Sequence, residues 1–164
     1  MTPGVRTGLS ILATGSVASA VSAAALLLLA SIESKDAARP LNATSHWLHG
    51  DAAAEVRKMD IAHTLVGYVT HHASCLFWAL PFQLWLGRRP ARSGPELLRD
   101  AAVMSAIAAV VDYGATPRRF IPGWDLVLSK RSMLAAYTAL AVGLALGSDL
   151  SGKLFRPRRR GGWQ

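Results

Sequence analysis

Four apolar stretches separated by polar connections organise this chain of 164 residues. They run over about residues 9–32, 61–86, 97–114 and 132–150. Each approaches or exceeds the roughly 20 residues that a helix needs to cross a lipid hydrocarbon core. None alternates apolar and polar positions as a half-buried strand does. The pattern predicts an all-α protein: one integral membrane domain over 1–164, built as a four-helix transmembrane bundle with a long polar first loop and a basic tail over 151–164.

Local signals refine the four spans. In the first, the most apolar run (Ala23–Ala30) follows the cleavage-like Ala18-Ser19-Ala20. That is the wrong order for a signal peptide, so the segment reads as a retained helix. Gly8, Gly15, Ser19 and Ser22 put small residues on one side of it, and Gly143 to Gly147 forms a GxxxG pattern in the fourth span. Small residues let helices approach closely in lipid, so close packing and self-association are expected. In the second span Pro81 predicts a kink. Asp51 reads as the N-cap of a helix running straight into that span. Pro95 and Glu96 suit the first turn of the third helix.

Composition supports the membrane class. Hydrophobic residues make up 51% and charged residues only 17%, against about a quarter charged in soluble domains. The net charge is +8. Its bases flank the apolar stretches, which points to membrane lipid rather than nucleic acid as the partner. Arg88 and Arg89, with Arg156, Arg158, Arg159 and Arg160 of the tail, are the expected headgroup contacts. The side holding both termini carries ten Lys and Arg, the other side eight. The positive-inside rule then puts the termini in the cytoplasm of a multi-pass bacterial inner-membrane protein. Cys75 is the only cysteine, which excludes an internal disulfide.

The candidate chemistry is concentrated. All five histidines, His46, His49, His63, His71 and His72, lie within one window that runs from the first loop into the second span. With Asp51 and Asp112, which the four-span topology brings to the same depth, they form the candidate polar or ligand site. Imidazole and carboxylate groups are costly in lipid without partners. Helical geometry limits convergence: His63 and His71 differ by about 80° around the axis and share one stripe, while His72 points over Tyr68 and Thr64.

Three readings follow. His63 and His71 as metal ligands, or His71 or His72 as a haem ligand, would make a membrane redox subunit. Asp112 paired with His63 would make a proton or ion relay, acting as an oligomer because four helices leave little room for an aqueous path. The third reading is an accessory or assembly protein with a polar His/Asp-rich outer half, in which Asp112 simply pairs with Arg118 or Arg119. No HExxH spacing and no nucleotide-binding glycine loop is present, so the sequence leans away from an enzyme and towards this last reading. The segment from Asp112 to Trp124 is dense in Gly, Pro and aromatics, and is expected to fold over the outer end as a lid. Asn42-Ala-Thr44 matches a glycosylation sequon.

Overall fold

The apolar stretches fold as four long helices in a computed structural model that describes residues 2–88 and 92–155. Arg89 and the tail arginines Arg156, Arg158, Arg159 and Arg160 lie outside the described residues. Helix α1 spans Pro3–Ile32, with Thr2 Oγ1 accepting the Val5 N–H as its N-cap. The first loop contains two short helices, α2 (Arg39–Thr44) and α3 (His46–His49). Then come α4 (Val66–Gly87), α5 (Gly94–Gly114) and α6 (Lys130–Phe155). Among the described residues there is no strand.

Two of these helices, α1 and α6, are long and apolar enough to cross a membrane. Helices α4 and α5 have the length but carry too many polar or charged residues to meet the same measure.

The entry to α4 differs from the expected continuous helix. Residues Asp51–Glu55 make a single 3-10 turn, and Ile61–Leu65 makes a π-type turn before α4 begins. The cause lies in two carboxylates. Asp60 restarts the helix, accepting the His63 backbone N–H at 2.6 Å. Asp51 does not cap its own turn; it faces His46 and Arg118 instead. Glu96 behaves as expected in the first turn of α5, where it accepts the Ser93 N–H at 2.9 Å.

The long helices pack in the order α4, α1, α6, α5, while α4 and α5 scarcely touch. Small residues set the closest contact. A Cβ on Gly143 would sit 2.6 Å from the Ala18 Cα, and one on Gly147 would sit 2.7 Å from the Thr14 Cα. Gly15 of α1 meets the Leu76 backbone of α4 in the same way. The faces at Gly15, Gly143 and Gly147 are therefore filled by the chain's own helices, whereas Gly8 faces open space.

One polar staple joins the ends of α1 and α6. Glu33 accepts the Ser129 N–H at 3.1 Å and the Ser129 and Ser132 hydroxyls, and pairs with Lys35 at 2.8 Å. A carboxylate at a helix N-terminus is favourable. These bonds, that from Lys35 foremost, hold the Glu33 carboxyl down to about 2.

Two predictions follow. Gly143→Val or Gly147→Val pushes backbone against backbone and should destabilise by about 1–3 kcal/mol or more, whereas Gly8→Val enters open space and should be silent. Thermal unfolding of the purified chain measures both. For Glu33 the folded-state pKa is depressed, so its contribution is present above the usual carboxyl range near 4.5 and is lost as pH falls towards 2. Glu33→Gln should lower the midpoint at pH 7 and flatten its decline between those pH values.

Candidate functional site

The site is built where the two longer connections meet over the helix ends. Residues 40–46 of the first loop are buried, although the sequence reads there as a polar loop. Asn42 organises them. Its amide donates to the Val56 and Lys58 carbonyls at 2.7 and 3.0 Å, and its oxygen accepts the Thr64 hydroxyl at 2.6 Å. Fully buried and engaged in this way, Asn42 is not an accessible glycosylation acceptor. Gly67 of α4 allows the α2 backbone to approach, since a Cβ there would collide with the Leu41 carbonyl oxygen. Trp47 is tied to α4 through Nε1, which donates to Thr70 Oγ1 at 3.1 Å.

The second connection closes over the first, as the expected lid. His46 Nε2 lies 2.9 Å from the Ile121 carbonyl, which can only accept, so that nitrogen carries a proton. Gly123 has φ +76°, and a Cβ on it would sit 2.7 Å from the Ala43 oxygen. Only glycine combines that backbone with that proximity. The turn delivers Trp124 inward, where Nε1 donates to Thr44 Oγ1 at 3.1 Å. Its ring packs against His71 (centroids 5.7 Å apart) and Tyr137 (5.4 Å).

Beneath this roof is a cavity of about 250 Å³ between α4 and the ends of α5 and α6, lined by Trp47, His71, Cys75, Asp112, Trp124 and Tyr137 among others. The Tyr137 hydroxyl donates to Asp112 Oδ2 at 2.7 Å. His71 Nε2 lies 2.9 Å from Ser22 Oγ on α1. Ser22 also donates to the Ala18 carbonyl at 2.7 Å. Its one proton is thereby used, so His71 donates to it. Fully buried, Ser22 ties two helices together and is not an accessible nucleophile.

The chain matches no known protein family, no curated protein and no solved structure.

Six of the seven predicted site residues fall into three pairs, and His72 stands apart. His71 and Asp112 share the cavity. His46 and Asp51 hold the roof, their side chains 3.3 Å apart. His46, with help from Arg118, keeps the Asp51 carboxyl below its ordinary range. His49 and His63 form an outer pair with ring centroids 4.6 Å apart. His63 is bound to Asp60 at 2.9 Å. The His63 backbone N–H, then its ring, keeps Asp60 low. His72 stacks on Tyr68, as its helical position predicts.

Several expected pairings do not form. Asp112 meets neither His63 nor the arginines. Arg118 pairs with Asp51 and Asp125, and Arg119 Nε donates to the Trp47 carbonyl. His63 and His71 take different partners. Among the described residues no three His, Cys, Asp or Glu side chains are grouped to hold a metal ion. Sequence reasoning missed Trp124 and Tyr137 as cavity walls. Trp124 was legible as part of the lid, but Tyr137 sits in an unbroken apolar run that gives no sign of it.

Cys75, 3% exposed and lining the cavity, reports on the roof. His46→Ala or Gly123→Val should accelerate its alkylation by N-ethylmaleimide about tenfold, equivalent to lowering the opening free energy by about 1.4 kcal/mol. Unchanged labelling rates would show that the roof does not guard the cavity.

Proposed function

We propose that this chain is a four-helix integral protein of a bacterial inner membrane, with cytoplasmic termini. On this reading it is of accessory type, acting through what its roofed cavity holds rather than through bond-making chemistry. The observation that carries the proposal is the inverted distribution of side chains. Large apolar groups stand outward on all four long helices: Leu12 and Leu28, Phe77 and Leu84, Ile107 and Val110, Leu134 and Leu146. The interior holds Thr14, Ser19, Ser22, His71, Asp100, Ser105 and Ser148 among alanines and glycines, beside a few large groups such as Leu26, Phe82, Leu140 and Leu144. A water-soluble bundle would bury its large apolar side chains and expose the polar ones. A lipid solvent favours small and hydroxyl-bearing residues at helix contacts.

Orientation follows from the bases. Placing the termini in the cytoplasm puts the roof and the His46, His49, His63, His71 and Asp112 region in the outer half. The non-enzymatic reading is supported by the side chains around His71 and Asp112. The serine beside His71 is sealed, and the acidic partner that would orient an active histidine is instead bound to Tyr137. The relay reading lacks comparable support because His63 and Asp112 do not meet, and the metal reading because His63 and His71 take different partners.

Two measurements test the proposal. The protein should remain in the membrane fraction through alkaline carbonate extraction; its release would overturn the membrane placement. In a Cys75→Ser background, cysteines at Met59 or Phe120, both well exposed, should react with an impermeant maleimide on intact spheroplasts. A cysteine at Ser93 should react only after lysis. The reverse pattern would invert the topology.

A further inference from the structure

We infer that the roofed cavity receives an ammonium group, carried by an alkyl chain that leaves through the seam between α4 and α5. This rests on the membrane placement proposed above for the route of the chain, but not for the chemistry of the site.

The charge of the cavity is the first argument. Asp112 lines it and forms no ion pair among the described residues. Oδ2 accepts the Tyr137 hydroxyl, and Oδ1 has no hydrogen-bond partner there. Both neighbouring arginines are bound on the outer side of the roof, Arg118 to Asp51 and Asp125, Arg119 to the Trp47 carbonyl. Among the described residues no Lys or Arg lines the cavity. A half-buried carboxylate without a cation is a binding determinant for one.

The available hydrogen bonds argue the same way. Most lining donors are already engaged within the protein: Trp47 with Thr70, Trp124 with Thr44, Tyr137 with Asp112, and the Thr44, Thr70 and Ser74 hydroxyls with backbone carbonyls, which leaves the Trp78 indole N–H as the one uncharged donor of the wall without such a bond among the described residues. A phosphate or carboxylate ligand would find no other free strong donor from these groups. What they leave open is an acceptor and aromatic surface. Trp47, Trp78, Phe120, Trp124 and Tyr137 all contribute to the wall. Aromatic walls beside a carboxylate are the chemistry that recognises primary and quaternary ammonium groups.

Size and access set the ligand class. At about 250 Å³ the cavity falls below the roughly 300–1,000 Å³ of sites for drug-sized molecules. It suits a head group and its first methylenes. Since α4 and α5 scarcely touch, the seam between them is the route we assign to the remaining chain. A free alkylamine and an amine-bearing lipid head group share this chemistry.

The test uses the full chain in phosphatidylglycerol nanodiscs, with tryptophan fluorescence as the readout. Hexylammonium should bind saturably and hexanol should not. Asp112→Asn should weaken hexylammonium binding about tenfold or more, and Asp112→Glu should restore most of it. Circular dichroism and the unfolding midpoint establish that both variants are folded. Equal affinity for the alcohol, or unchanged affinity in folded Asp112→Asn, overturns the inference. Discs containing phosphatidylethanolamine assign the source. Competition with hexylammonium assigns the site to a lipid head group, and its absence assigns the site to a free amine. Tetramethylammonium titrated against detergent-solubilised protein keeps the two proposals separable. Asp112-dependent binding of this tailless cation supports the site even if carbonate extraction releases the chain from membranes. Its absence alongside absent hexylammonium binding rejects the site while leaving the membrane placement intact.

Discussion

The contact between α1 and α6 is the constraint on which the rest of the molecule depends. Gly143 and Gly147 bring the two backbones so close that a single added carbon at either position meets a main-chain atom. The approach fixes both the separation and the relative height of the helices. Everything else is referenced to α1. Gly15 sets α4 against its other side, and Ser22 then finds His71. Glu33 seats the first turn of α6 at the level where α1 ends. Helix α5 hangs mainly on α6, with Ser105 donating to the Tyr137 carbonyl at 2.6 Å. The gap between α4 and α5 is therefore a direct outcome of helices that are all anchored to one central pair.

The four long helices were legible because apolar runs bounded by Pro, Gly and charge are a strong local signal. The glycine pair in α6 was legible as a packing motif but not as to its partner, which could have been another copy. Composition marks residues 33–60 as polar and mixed in sign, yet Pro40 to His46 is buried. The reason is long-range: Asn42, Trp47 and His46 find partners 14 to 75 residues away, none of them implied by local pattern.

The histidine window shows the same limit at the candidate site. Proximity in sequence suggested one centre, and helical geometry already removed His72. The fold divides the others by depth and by partner: His49 with His63 at the rim, His46 in the roof, His71 beneath it. Among the histidines Asp112 shares a cavity with His71 alone, and its hydrogen-bond partner is a tyrosine on a different helix from any histidine. Buried polar groups in a low-dielectric interior are constrained to find hydrogen bonds. Which group satisfies which is decided by the backbone arrangement, after the helices have packed.

The cross-links of the roof impose an order on biogenesis. A ribosome delivers this chain from its N-terminus, so α2 emerges before anything that can hold it. Asn42 waits for Val56, Lys58 and Thr64, and Trp47 waits for Thr70. His46 and Thr44 wait much longer, until Ile121 and Trp124 have been synthesised. Through that interval α1 and α4 can already be paired, with the side of His71 still unroofed. Only when the last connection arrives does a chamber exist around Asp112.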